Sequence, residues 1–234
     1  MKEHGQKEMF KTPIELLGQR IGGTMSTHWI VTKDQFLTEE EITRLYLALE
    51  DSKDLALQRE TFFCHIRDYY LLRVLLETGL RVFELASLKV SDFRAGSLIV
   101  RNGKGGKKRN VLLSKESQRM ISEFLKIKSK TLNEPIGPED SLFVSERRRP
   151  YTTRGIRKRV KLWFSKIGVS NELSVHSCRH SYISHMLAKG VDLVTVRDNA
   201  GHSSLAVTSI YSHAVKSDLG DLELYSSQKT RKGN

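Results

Sequence analysis

Cysteine is scarce in this 234-residue chain: Cys64 and Cys178 are the only two. A disulfide framework is excluded on that count, and such a chain suits a reducing compartment. Long apolar runs are missing too. Nothing approaches the ~20 apolar residues of a membrane span, and the opening Met1-Lys2-Glu3-His4 has no signal-peptide core. The expected setting is therefore cytoplasmic, with no membrane, and nucleoid-associated. No lysine precedes Ser/Thr in Walker order, so a nucleotide loop is not expected. Cys-x-x-Cys and His-Glu-x-x-His are both absent, so His176 and His180, although spaced to share a zinc, are not read as ligands, and no metal or other cofactor is expected. Acidic residues are in deficit: 27 Asp+Glu face 39 Lys+Arg, a net charge of +12. That excess favours a polyanionic partner, with nucleic acid the first candidate.

What is present reads as a soluble globular chain, 38% hydrophobic and 28% charged, long enough for a buried core. Residues 1–33 have weak periodicity and are expected to form an N-terminal, mobile extension; residues 34–234 are read as the folded domain. Order is expected to begin at Thr38, which with Glu41 makes a capping box ahead of Ile42, Leu45 and Leu49. From about Leu57 to Glu77 apolar residues cover most of a helix circumference, as in a central helix that Gly79 ends. Another helix starts at Leu80, with Arg81 in its first turn. Ser97–Arg101 and Arg109–Leu113 are strand-like and flank Gly103-Lys104-Gly105-Gly106-Lys107-Lys108, a β-hairpin with a glycine-rich basic tip. An amphipathic helix follows over Glu116–Lys130, then a short strand at Leu142–Val144. After Arg147-Arg148-Arg149 comes a helix over Thr152–Lys166, basic on one side and aromatic on the other. Its Arg154, Arg157 and Lys158, with Arg148 and Arg149 before it and Lys107, Lys108 and Arg109 on the hairpin, are the expected phosphate-facing residues. A short helix near Leu222–Tyr225 is expected in the tail.

Five of the eight histidines fall between Leu173 and His213. Ser174 can cap a helix that Gly190 stops; Asp192 can cap a second, Leu193–Ala200, that Gly201 ends; a third starts at Leu205. His176, Arg179, His202 and Tyr211 are thereby delivered to one neighbourhood, a set able to surround a phosphate and attack it. Each has a plainer reading: Arg81 as an ion pair with Glu84, His180 and His185 as packing or hydrogen-bonding histidines, Tyr211 as core. A rival reading takes His176–Tyr211 as a helix-turn-helix of a non-catalytic regulator, with Arg197 and Asn199 reading bases.

Taken together the motifs resemble those of the tyrosine recombinases, the family of phage integrases and Xer-type resolvases. Thr78-Gly79-Leu80-Arg81-Val82-Phe83-Glu84-Leu85 is similar to the first arginine box, and Lys104 to the hairpin lysine. His176-Ser177-Cys178-Arg179-His180 resembles the His-x-x-Arg box, Gly201-His202-Ser203-Ser204 the second histidine, and Ile210-Tyr211-Ser212-His213 the nucleophile. Cys178 and Ala200 stand where leucine is common. The resemblance implies a mainly α fold with a small β-hairpin or sheet, and a site-specific recombinase that cuts and rejoins DNA through a 3′-phosphotyrosine. It implies as catalytic Arg81, Lys104, His176, Arg179, His202 and Tyr211, with Lys104 protonating the leaving 5′-oxygen and His176 assisting proton removal from Tyr211. The implied partners are double-stranded DNA, a homotetramer on paired sites and accessory DNA-bending proteins; a type IB topoisomerase shares the chemistry. Lacking room for a helical core-binding domain ahead of residue 34, the chain resembles the short members such as fimbrial inversion recombinases.

Overall fold

The computed structural model describes residues 33–94, 96–101, 108–202 and 204–216. Residues 1–32 of the expected extension, the hairpin tip with Lys104 and Lys107, and the expected tail helix lie outside the described residues. Among the described residues the architecture is helical around one three-stranded antiparallel sheet, a mainly α fold with a small β element as expected.

Helix α1 (Glu39–Arg59) opens at the Thr38 capping box: the Glu41 amide donates to Thr38 Oγ1 at 3.1 Å and the Thr38 amide to Glu41 Oε2 at 2.9 Å. It runs past Leu57, where a second helix was expected to begin. The break falls instead at Glu60–Phe63, where Glu60 (φ 51°) and Phe62 (φ 50°) take left-handed backbone. Neither residue type announces such a stop; packing of α2 (Cys64–Thr78) back against α1 imposes it. From Ile66 to Thr78 α2 is buried on nearly every face, the central helix that its apolar sequence implied. Gly79 (φ 61°) closes it, and a Cβ there would lie 2.4 Å from the Tyr182 ring, so both backbone and space require glycine.

Arg81 is the N-cap of α3 (Val82–Ala86) rather than part of its first turn. After a 3-10 turn at Val90–Asp92 the sheet forms from β1 (Phe93–Arg94), β2 (Ser97–Val100) and β3 (Arg109–Leu112), in the order β1-β2-β3. Strand β1 was not anticipated. Alternation sends Leu98, Val100 and Val111 into the core, and Val100 opposite Arg109 is the last pair before the tip. Helix α4 (Lys115–Lys130) is capped by Ser114 and buries Met120, Ile121 and Phe124. The strand expected at Leu142–Val144 is absent: Val144 makes only an isolated bridge to Pro150, which has no N–H with which to extend a ladder.

Helix α5 (Thr153–Lys166) puts Ile156, Val160, Trp163 and Phe164 into the core. Asp68 on α2 anchors it, accepting from Trp163 Nε1 (2.7 Å) and Arg159 Nε (2.7 Å). Three helices complete the domain: α6 (Val175–Ala188), α7 (Leu193–Ala200) and α8 (Leu205–Lys216). The first two start at Ser174 and Asp192, the caps read from sequence. Helix α6 packs on α2 and α8, and α7 on β3 and α8. Tyr182, Ile183, Val196, Ala200 and Tyr211 form a small second core between them.

Candidate active site

The C-terminal end of α7 organises the site. A helix leaves its last carbonyls without intrahelical partners, and its dipole makes that end a seat for cations. Three arginines from three elements take those carbonyls. Arg109 Nε of β3 donates to Asn199 O at 3.0 Å, Arg179 Nη2 of α6 to Ala200 O at 2.6 Å, and Arg81 Nη2 ahead of α3 to Gly201 O at 3.2 Å. Arg179, 7% exposed, also donates from Nη1 to Gly79 O at 2.6 Å, so the ends of α2 and α7 are tied through one guanidinium.

A single buried carboxylate answers the three cations. Glu84 accepts from Arg109 Nη1 and Nη2 at 2.7 and 2.9 Å, from Arg81 Nη1 at 3.1 Å and from the Arg81 amide at 2.8 Å. Burial would raise its carboxyl, but the Arg109 hydrogen bonds, the Arg81 amide and both charges bring it below the ordinary carboxylate range. Arg179 shows the imbalance: burial first, then the charges of Arg81 and Arg109, pull it down to about 10. Three guanidinium groups against one carboxylate leave an anion-seeking cluster.

Tyr211 lies beside this cluster, within range of the Arg179 charge, 4% exposed and between two imidazoles. Its ring is near-parallel to His180 (centroids 5.6 Å apart) and to His202 (6.2 Å). Its hydroxyl meets Nδ1 of His180 at 2.7 Å, whereas Nδ1 of His202 faces Thr208 Oγ1 at 2.9 Å. Burial and then neighbouring cations depress both imidazoles, His180 to about 4 and His202 to about 3. Burial raises the Tyr211 phenol, with the Arg179 charge working against it. His176 sits exposed at the start of α6; desolvation and the charges of Arg157, Arg179 and Arg81 lower its pKa.

The structure thus brings together Arg81, Arg179, His202 and Tyr211, with His176 within reach of the same charges. Lys104 and Lys107 fall outside the described residues. Lys108, Arg148, Arg149, Arg154, Arg157 and Lys158 are all exposed, with Arg148 Nη1 donating to Asn133 O at 2.9 Å. Arg109 departs from expectation: its guanidinium faces inward to Glu84 and Asn199 rather than outward to a phosphate backbone. Asn199 departs from the helix-turn-helix reading. It is buried, its Oδ1 accepting from the Leu112 amide at 3.0 Å and its Nδ2 donating to Tyr182 Oη at 3.0 Å, so it braces β3 on α6 and cannot read a base. Sequence reasoning passed over two site residues. Glu84 was noted only as a plain partner for Arg81, and His180 as a packing or hydrogen-bonding histidine; its position directly after Arg179 was the available signal.

Residues 35–218 match the model of the phage integrase family. The chain belongs to that family. Among its relatives is the tyrosine recombinase XerC of Lactobacillus leichmannii, 32% identical over 183 residues, which are 76% of this chain and 58% of the XerC chain. The family member thus spans under two-thirds of the length of that relative. Of solved structures, the XerA recombinase superposes with a TM-score of 0.64 at 29% identity over 79% of this chain and 63% of its own. The fold is shared with the XerH recombinase bound to its palindromic difH substrate in a post-cleavage complex, at a TM-score of 0.64 and 24% identity, covering 80% of this chain and 51% of that one.

Proposed function

We propose that this domain cuts and rejoins double-stranded DNA at specific sites through a 3′-phosphotyrosine intermediate, as a recombinase. The observation that carries the reading is the buried Tyr211 hydroxyl, hydrogen-bonded to His180 and within range of the Arg179 charge, beside the cluster in which three arginines gather at the end of α7. Such a cluster fits a phosphodiester, whose negative charge answers the excess.

In this reading Arg81 and Arg179 hold the non-bridging oxygens and offset the charge that grows on the pentavalent phosphorus. Both are already fixed on carbonyls, so little reorganisation is needed when DNA arrives. His202 donates a further hydrogen bond, and exposed His176 lines the phosphate seat. Tyr211 Oη attacks phosphorus, the 5′-oxygen leaves, and Lys104 on the hairpin tip gives it a proton. The free 5′-hydroxyl of a partner strand then attacks the phosphotyrosine. One phosphoester is exchanged for another, so the bond energy is conserved and no nucleotide is spent. Lys108, Arg148, Arg149, Arg154, Arg157 and Lys158 track the duplex backbone. Exchange between two duplexes calls for a tetramer on paired sites, with bending proteins as accessories, in a nucleoid setting.

The test is adduct trapping on nicked duplexes tiled from the DNA flanking the gene, where inverted or direct repeats would mark the site. Wild type and Tyr225→Phe are expected to give a protein-linked band on a denaturing gel. Tyr211→Phe, which removes one hydroxyl and almost no volume, is expected to fold and bind but give none. An adduct persisting in Tyr211→Phe would defeat the assignment.

A further inference from the structure

The Tyr211 hydroxyl has one proton to give, and among the described residues it meets one acceptor at hydrogen-bond distance. A guanidinium cannot accept, and Arg179 is committed to the Gly79 and Ala200 carbonyls. His202 directs Nδ1 to Thr208. His176, given the proton-removing role by resemblance, is exposed at the helix start, and among the described hydrogen bonds none joins its imidazole to Tyr211. His180 Nδ1 stands 2.7 Å from Tyr211 Oη. The groups facing His180 are His176 and Arg179 on its own helix, His202 from the turn after α7 and Tyr211 from α8. All of the charged ones are cationic when protonated, which keeps the free imidazole neutral and so able to accept.

We propose that His180 takes the phenolic proton of Tyr211 as the phosphotyrosine forms and returns it when the strand is rejoined. The inference rests on the reading of Tyr211 as nucleophile. In cleavage the Oη–H bond breaks and its proton bonds to His180 Nδ1, while the freed electron pair forms the bond to phosphorus. The bond from phosphorus to the 5′-oxygen breaks, its pair stays on that oxygen, and the proton from Lys104 completes the hydroxyl. Rejoining reverses each transfer: the 5′-hydroxyl attacks, the bond to Oη breaks, and the tyrosinate oxygen recovers its proton from His180. A base as weak as the free site makes His180 would leave the phenol protonated and inert. The phosphodiester changes that. Its negative charge, seated among Arg81, Arg179 and His202, offsets the cations that disfavour a protonated His180 and strengthens the base only when substrate is present.

His180→Asn is the discriminating variant, because its Oδ1 stands near the position of Nδ1 and accepts the hydrogen bond without taking the proton. On the tiled nicked duplexes, single-turnover adduct formation is expected to slow by about 10²–10⁴ at neutral pH. The residual rate should climb by about tenfold per pH unit, as for attack by a phenol ionised in solution, where wild type is flatter. A fluorinated tyrosine at position 211, whose phenol ionises more readily, should restore much of the loss. His180→Asn cleaving within a few-fold of wild type, or a loss that fluorotyrosine leaves untouched, would overturn the proposal and reduce His180 to packing. If wild type forms no adduct on any duplex, the nucleophile reading and this inference fall together; an adduct in wild type and unaffected His180→Asn removes the inference alone. A measurement without variant or DNA stands beside it: ¹⁵N NMR of the wild-type imidazole should show Nδ1 unprotonated and Nε2 carrying the hydrogen. The opposite tautomer, with Nδ1 donating to Tyr211, would overturn it.

Discussion

Glu84 shows how much of the site depends on one side chain that is itself 2% exposed. Its two oxygens receive four donors from Arg81 and Arg109, and nothing else among the described residues opposes the local positive charge. Removing one partner of a buried ion pair leaves the others desolvated and unanswered, which costs about 3–5 kcal/mol. Glu84→Gln keeps the shape and loses the charge, so urea unfolding is expected to show a loss toward the lower end of that range. Cleavage should fall with it, since Arg81 then lacks what orients it. Sequence proximity made the Arg81–Glu84 pair legible, being three residues apart on one turn. The second partner was not: Arg109 lies twenty-five positions away in sequence, and only the pairing of β2 with β3 and the docking of α7 bring it there. A basic residue beside a lysine-rich tip looks like a DNA contact until a buried carboxylate is found to claim it. His180 was obscure for a similar reason, because adjacent helix positions point about 100° apart and nothing local tells which of them meets a residue from α8.

At the scale of elements, whatever depends on neighbours within one turn was readable and whatever depends on distant packing was not. Thr38, Ser174 and Asp192, the caps read from sequence, each cap the helix that follows, since a side-chain oxygen satisfying a free amide is a local event; Ser114 and Thr152 do the same without having been read as caps. The break between α1 and α2 carries no glycine or proline, and tertiary packing alone forces Glu60 and Phe62 into left-handed backbone. The turn at Gly201 was readable as a helix end, but its second duty was hidden. A Cβ on Gly201 would lie 2.7 Å from Arg109 Nε, and Arg109 cannot swing aside cheaply because Glu84 and the Asn199 carbonyl hold it. Gly168 supplies the control, with a similar positive φ (73° against 68°) and no atom within 4 Å of its would-be Cβ. Gly168→Ala is expected to cost only the left-handed backbone, about 1–2 kcal/mol. Gly201→Ala should cost more in the same unfolding assay and should also slow adduct formation, as Arg109 and the end of α7 are displaced. Equal losses in the two variants would mean that Arg109 yields freely.

Across the whole domain the five described imidazoles act in one direction. His65, His176, His180, His185 and His202 all have pKa values below the ordinary imidazole value, with desolvation the leading cause in each. A base whose folded pKa lies below its unfolded one binds fewer protons in the folded state, so stability rises with pH through that interval. The contribution is complete above the unfolded value near ~6.5 and is lost as pH falls toward the folded values, about 4 for His180 and about 3 for His202. Glu84 works with the same sign but later, because its depressed carboxyl begins to matter only below the ordinary carboxylate range. Between pH 7 and 5, then, the carboxylates stay ionised and the imidazoles alone should drive the change. The melting temperature is expected to fall steadily over that interval. His180→Asn combined with His202→Asn, which removes the two most depressed imidazoles, should flatten the slope there while leaving the steeper loss below pH 4.5 in place. A wild-type melting temperature that holds level from pH 7 to 5 would show that the imidazoles around Tyr211 are solvated enough to titrate as they do in the unfolded chain.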